Sequence, residues 1–339
     1  MGAVIANSTE LRHSAMLGLG AYRPRRVVTN EEICEQIDST DEWIQSRSGI
    51  KSRRFAGEDE SVLAMSIESG RRALEAAGVS SQQIGTVIVA TSTYPVQTPA
   101  CSALVADALG TGGAGAIDVA AGCAGFCYAL GLASDLVRAG SQDYVLVIGV
   151  ERMSDSTEPT DRSVRFIFGD GAGAVVVGRG EETGIGPVVW GSDGAQGTAI
   201  RQEPNWVDFA ENPAQQRPWI KMEGTSVFRW AAFEMGKIAL QTLDRSGVTM
   251  EDLDAFIPHQ ANARITDVIA RSIHLPETVA VSNDIAETGN TSAASIPLAM
   301  EEMLRTGKSK AGDTALLLAF GAGLAYAGQV VKMPPLAQA

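Results

Sequence analysis

Apolar positions in this chain fall into two kinds of stretch that alternate along its length. Short, near-continuous runs such as Val87-Ile88-Val89, Val145-Leu146-Val147-Ile148, Ala174-Val175-Val176-Val177, Phe256-Ile257-Pro258 and Ala315-Leu316-Leu317-Leu318 read as strands. Runs without polar alternation suit sheets covered on both faces. Longer stretches such as Ala124–Arg138 carry Phe126, Tyr128, Leu130, Leu132, Leu136 and Val137 at helical spacing. Helices alternating with strands predict an α/β fold with mixed sheets and helical layers.

The pattern repeats. Ala73–Ser80, a helix ending at Gly78, leads into Ile84–Val89, and Thr242–Thr249, ending at Gly247, leads into Leu253–Pro258, an offset of 169. Asp143–Gly149 matches Asp313–Ala319 at an offset of 170, and both read as central strands. These matches predict two related halves, residues 1–180 and 181–339. The helix ends Leu136–Gly140 and Met303–Gly307 match at 167. Carried back along the helix, that offset sets Asn290 opposite Cys123 and predicts an asparagine at the same helix N-terminus. His259 follows the strand that matches Val87–Val89. A pseudo-twofold packing would bring these strand ends and helix starts to one pocket.

Cys123 follows Gly115–Ala121, which reads as a buried strand, and precedes the Ala124–Arg138 helix. Two readings stand open from the pattern alone. One is a small buried apolar residue. The other is a nucleophile whose thiolate is stabilised by unpaired amides at a helix start, with a lowered pKa. Cys127 lies one turn further on, and Cys34 and Cys101 read as core or interface residues. Four cysteines in 339 residues look like reduced thiols of a cytoplasmic protein, not a disulfide frame. No metal site is expected, since Cys123, Cys127 and a histidine lack a fourth ligand. Of three histidines, His13 lies in the N-terminal stretch and His274 reads as a helix-end residue.

A net charge of −13 argues against nucleic-acid binding, and it requires a local basic patch to attract any acidic partner. No apolar run approaches a membrane span, and the start Met1–Asn7 lacks the basic and apolar regions of a signal peptide. Gly169–Gly173 lacks the Lys-Ser/Thr of a phosphate loop and reads as a tight turn where backbones pack closely.

Six segments occur in order: Asp41-Glu42-Trp43-Ile44 with Arg47-Ser48-Gly49-Ile50, Gly122–Phe126, Phe168–Gly173, Pro258–Asn262, Gly289–Ser295 and Phe320–Gly323. Together they closely resemble β-ketoacyl-acyl-carrier-protein synthase III of the thiolase superfamily, in its actinobacterial form, from about Ser14 to Met333. The resemblance implies a thiolase-like fold of two pseudo-repeated α/β halves in an αβαβα arrangement. It favours the nucleophile reading of Cys123 and implies a Cys-His-Asn site of Cys123, His259 and Asn290. The implied reaction transfers an acyl group from acyl-CoA to the cysteine. A decarboxylative condensation with malonyl-acyl-carrier-protein then initiates fatty-acid synthesis.

His259 Nε2–H and the Asn290 amide would hold the enolate oxygen, and the amides of Cys123 and of Gly321-Ala322-Gly323 the acyl oxyanion. The resemblance further assigns CoA contacts to Trp43, Arg47, Arg162, Gly224, Phe228 and Asn262. It assigns carrier-protein docking to Arg229, Arg264 and Arg271, the last two seven apart on one helix face. It implies a homodimer in which the loop Tyr94–Pro99 closes the partner's acyl pocket, with Thr98 as gate where acetyl-selective members carry a bulky aromatic. No cofactor is implied, since acyl-CoA is a substrate. Other readings are a priming ketosynthase of a polyketide pathway, a chalcone-synthase-like iterative enzyme, and a non-condensing acyl-binding subunit. The last lacks the nucleophile that Cys123 provides. A papain-like hydrolase also uses Cys, His and Asn but lacks the repeat.

Overall fold

The computed structural model describes residues 11–214 and 216–337. The Met1–Asn7 segment, read above as no signal peptide, lies outside the described residues. The first sheet contains β1 (Ser14–Tyr22), β2 (Thr86–Ala90), β3 (Gly115–Val119), β4 (Tyr144–Arg152) and β5 (Asp170–Arg179), in the order β1-β5-β4-β2-β3. The second contains β6 (Val189–Ser192), β7 (Ala255–Pro258), β8 (Ala280–Val281), β9 (Thr314–Gly321) and β10 (Ala325–Lys332), in the order β8-β7-β9-β10-β6. Both sheets are mixed. β4 pairs parallel with β2 and antiparallel with β5, and β9 pairs parallel with β7 and antiparallel with β10. The two runs read as central strands, β4 and β9, hold the middle of their sheets.

Seven helices matter to the site: α1 (Asp41–Ser48), α2 (Val62–Ala77), α3 (Cys101–Leu109), α4 (Gly125–Arg138), α5 (Gly224–Ser246), α6 (Ala263–Ser272) and α7 (Ser295–Arg305). Successive strand residues face opposite layers. Val145 and Val147 of β4 pack with Phe126 and Leu130 of α4, Ile296 and Met300 of α7, and Leu317 of β9. Leu146 and Ile148, between them, pack with Met65 and Leu74 of α2 and Val105 of α3. Leu316 and Leu318 of β9 likewise face Met235 of α5 and Ile269 of α6. The layers therefore run α2/α3, first sheet, α4/α7, second sheet, α5/α6. Both sheets are buried on two faces, which is why their strands carry no polar alternation.

The repeated helix ends have one physical basis. α2 and α5 stop at Gly78 and Gly247, each in the left-handed conformation at φ 63°, where a side chain would be strained.

Three expectations are corrected. Among the described residues β3 pairs with β2 alone, so it is an edge strand, with Ile117 45% exposed. Asp170–Gly173 begins the strand β5 and is not a turn. The close packing there is real, since a Cβ at Gly173 would lie 2.6 Å from Pro297 of α7. Finally, Asn290 is not at the helix start equivalent to Cys123. Cys123 sits in a 3-10 turn (Gly122–Ala124) ahead of α4, and the matching turn ahead of α7 is Ser292–Ala294. α4 has 14 residues and α7 has 11, so aligning the C-terminal ends misplaces the start by a turn. Among the described residues no helix is long and apolar enough to cross a membrane.

Candidate active site

The loops after β3, β7 and β9 and the loop before α7 meet at one cavity of about 820 Å³. Carboxyl ends of strands are where α/β folds bind ligands. The cavity is lined by Cys123, His259, Asn290 and the Gly321-Ala322-Gly323 segment, with Trp43, Arg47, Gly224, Phe228, Asn262 and Arg264 on the same wall system.

Cys123 opens onto the cavity from a surround of protein. Burial pushes its thiol up to about 11. The Ser292 hydroxyl and the amides of Cys123 and Ala322 act in the opposite direction, and the charge of Glu151 adds to the rise. The thiolate expected from the helix start is thus not the resting form. α4 begins only at Gly125, and loss of solvent outweighs the amides that face the sulfur.

His259 follows β7, where its amide donates to the Leu318 carbonyl of β9 at 2.8 Å. It is 2% exposed, and burial lowers its pKa to about 3, so the imidazole is neutral at ordinary pH. Its Nδ1 lies 2.6 Å from Ser295 Oγ. The Gln260 amide also donates to that oxygen at 3.4 Å, which holds Ser295 Oγ beside the ring. In the tautomer whose Nδ1 accepts from the Ser295 hydroxyl, the ring hydrogen sits on Nε2 as a donor. Asn290 is fixed by a two-way backbone pairing, its amide to the Ile167 carbonyl and the Gly169 amide to its own carbonyl. Its Oδ1 accepts from the Ser292 amide at 2.8 Å, which leaves the side-chain NH₂ to donate elsewhere.

At the mouth, Trp43 meets Phe166 edge-on at 5.3 Å between ring centroids. The guanidinium over its face, at 4.8 Å, is that of Arg162, and Arg47 lines the cavity wall. Asn262 caps α6. It accepts from the Arg264 amide and donates to the Arg47 carbonyl, each at 2.9 Å, so its side chain ties α6 to α1. The Arg264 guanidinium lies 5.6 Å over the Phe228 ring. Arg229 and Arg271 are exposed outside the cavity, and among the described residues none of Arg229, Arg264 and Arg271 is in an ion pair. Thr98 is exposed and is not part of this cavity's wall. His274 is exposed at a helix end, and His13 bonds Thr183 at 2.8 Å, both away from the site.

Sequence reading passed over three polar residues here. Ser292 and Ser295 lie inside the Gly289–Ser295 motif, and Glu151 is an acidic residue ending an apolar strand. A carboxylate in such a run is itself a signal, because it must be buried with partners.

A two-sheet, five-layer α/β chain with a cysteine, a neutral histidine and an amide donor on one cavity defines a thiolase-fold condensing enzyme. Residues 117–194 match the family model described as 3-oxoacyl-[acyl-carrier-protein (ACP)] synthase III, and residues 243–333 match its C-terminal counterpart. The mycobacterial β-ketoacyl-[acyl-carrier-protein] synthase III of Mycolicibacterium paratuberculosis is 55% identical over 98% of this chain and 99% of its own. The synthase III of Streptomyces glaucescens is 55% identical over 95% of this chain and 97% of its own. The crystal structure of the priming β-ketosynthase from the R1128 polyketide pathway superposes with a TM-score of 0.96 at 46% identity, covering 99% of this chain and 100% of that one. The Aquifex aeolicus 3-oxoacyl-[acyl-carrier-protein] synthase III superposes at 0.87 with 36% identity, over 94% and 99%. The chain belongs to the β-ketoacyl-acyl-carrier-protein synthase III family and is an acyltransferase-type condensing enzyme.

Proposed function

We propose that the protein starts fatty-acid synthesis by condensing an acyl-CoA with malonyl-acyl-carrier-protein. The observation that carries this reading is the convergence of Cys123, neutral His259 and the donor end of Asn290 on one cavity. The Cys123 sulfur attacks the acyl thioester carbon, the carbon–sulfur bond to CoA breaks, and CoA leaves. Malonyl carrier protein then binds, its carboxylate departs as CO₂, and the electron pair forms an enolate. His259 Nε2–H and the Asn290 NH₂ donate to the enolate oxygen, while the amides of Cys123 and Ala322 face the acyl carbonyl oxygen. The carbanion attacks the acyl-cysteine, and the cysteine sulfur leaves.

Trp43 and Arg162 offer an aromatic and a cationic face to the adenine of CoA, with Arg47 beside them. Gly224, Phe228 and Asn262 line the way inward. Arg229, Arg264 and Arg271, cations without ion-pair partners among the described residues of an acidic chain, form the rim that receives an acidic carrier. In a homodimer, Thr98 of one subunit limits the acyl chain bound by the other.

A priming role in a polyketide pathway is the second reading, favoured by the R1128 likeness. The chemistry is the same and the carrier differs. Intact-mass detection of acyl-enzyme over a panel of acyl-CoAs, with Cys123→Ala as control, tests the first half-reaction. Condensation with carriers from each pathway separates the two readings.

A further inference from the structure

Cys123 must lose a proton before it attacks, and His259 is not set up to take it. When Nδ1 accepts from the Ser295 hydroxyl, His259 presents Nε2–H to the cavity and donates, and the buried ring, its pKa lowered to about 3, is a poor proton acceptor. A carboxylate stands elsewhere beside the sulfur. Glu151, near the end of β4, is 0% exposed. It accepts from the Ser92 amide at 3.1 Å and hydroxyl at 2.8 Å, and from the hydroxyls of Thr93 at 2.6 Å and Thr91 at 3.3 Å. The Thr91 and Thr93 hydroxyl oxygens already accept the amides of Thr93 and Arg152, so their protons point at the carboxylate. The fifth contact differs. Ser292 Oγ lies 3.0 Å from Glu151 Oε1, and the same hydroxyl is the side chain that hydrogen-bonds Cys123.

Ser292 is held for this duty at some cost. Its φ of 49° is a left-handed conformation, unfavourable for a residue with a Cβ by about 1–2 kcal/mol. The Asn290 side chain fixes its amide at 2.8 Å. Strain of this kind persists where the surroundings impose it, often at functional sites.

We propose that Glu151 is the proton acceptor for Cys123, reached through the hydroxyl of Ser292. The S–H bond breaks as its proton passes to Ser292 Oγ, and the Ser292 proton passes to Glu151 Oε1. The thiolate pair then forms the bond to the acyl carbon, and CoA departs as a thiolate that takes a proton from water. Glu151 holds its proton in the acyl-enzyme. After condensation the cysteine leaves as a thiolate and recovers that proton by the same path. The resting site is thus restored with no other base. A neutral Glu151 during the second half-reaction also removes a buried charge beside the forming enolate. Burial, which raises the Glu151 pKa despite its hydroxyl and amide partners, favours that protonated state. Among the described residues the groups bonded to Glu151 are neutral, and the titratable group it faces is Cys123. The neighbouring Arg152 guanidinium is turned to Asp155 and to the Gly57 carbonyl.

The proposal rests on Cys123 being the acylated residue. Its test is the pH dependence of single-turnover acylation in wild type, Glu151→Gln and Ser292→Gly. Glycine suits the positive φ at 292 and deletes only the relay. Wild type should reach a plateau near neutral pH. Both variants should lose on the order of 10²–10⁴-fold at pH 7, recover as pH rises toward the thiol's own range, and show no further loss when combined. Glu151→Gln acylating as fast as wild type, or faster, at pH 7 would overturn the relay. That is what removing a repelling charge alone gives. If neither variant folds, a proton inventory on wild type decides, since the relay requires two protons in flight and a linear plot refutes it. Absence of acyl-Cys123 in wild type would instead sink the functional reading itself.

Discussion

Asn290→Asp isolates one donor from the fold that holds it. Asn290 Oδ1 accepts from the buried Ser292 amide, and aspartate keeps that acceptor while it removes the NH₂ that faces the reaction. Alanine would also strip Ser292 of its partner, costing about 1–3 kcal/mol of stability for the orphaned amide. Aspartate avoids most of this loss. One oxyanion-type donor contributes about 2.7–4 kcal/mol, so decarboxylation should fall roughly 10²–10³-fold. The fall should be larger if the new carboxyl ionises, because it then opposes the enolate. Acylation, whose oxyanion is met by the amides of Cys123 and Ala322, should stay within about tenfold of wild type, well inside the effect of one such donor. Quenched-flow intact mass measures acylation, and release of labelled CO₂ from malonyl carrier protein measures decarboxylation. An equal fall in both half-reactions would refute the division of labour between Asn290 and the backbone amides.

Other consequences are separately measurable. Arg264→Glu should weaken use of malonyl carrier protein more than use of acyl-CoA, and the defect should shrink as salt screens the rim; equal, salt-independent defects would refute docking at this rim. Thr98→Phe should cost the enzyme longer or branched starters while sparing acetyl-CoA, at about 0.8 kcal/mol per excluded CH₂ and more through overlap; an unchanged starter ratio in competition kinetics would count against the gate. His259 has its pKa lowered from 6.5 to about 3, so the unfolded chain binds its proton first. Its share of stability is present above pH 6.5 and is lost as pH falls toward 3. Wild type should lose stability more steeply than His259→Gln in urea titrations across that window, and parallel curves would contradict a buried neutral imidazole. Gly149→Ala should destabilise by more than about 2 kcal/mol, because a Cβ there would lie 2.3 Å from the Ala293 carbonyl oxygen, backbone that joins the two halves; an unchanged denaturation midpoint would argue against that contact.

Much of this architecture was legible in the chain because two-sided burial writes continuous apolar strands. β4 and β9 were readable for that reason, as were helices ending at Gly78 and Gly247. Register along a helix was less legible. Matching α4 to α7 by their last residues misplaced the second helix start, since nothing in the apolar spacing shows that α7 is a turn shorter. The edge position of β3 was hidden because Gly115–Val119 carries the apolar content of a buried strand. Cys123 and His259 stood out as reactive types at element junctions. Their protonation states did not, because burial by distant segments sets them. Glu151, Ser292 and Ser295 come from β4, the turn before α7 and α7 itself. Only the fold shows that Ser292 links the cysteine to Glu151 and that Ser295 meets the histidine.

The most direct measurement is peptide mapping of the acyl-enzyme after brief exposure to acyl-CoA and before malonyl carrier protein is added. The account predicts a single acyl group, located on Cys123 by fragmenting the tryptic peptide Ala73–Arg138 that also carries Cys101 and Cys127, absent in Cys123→Ala and discharged when malonyl carrier protein is supplied. Acyl mass on Cys127, or a Cys123→Ala protein that still condenses, would contradict it.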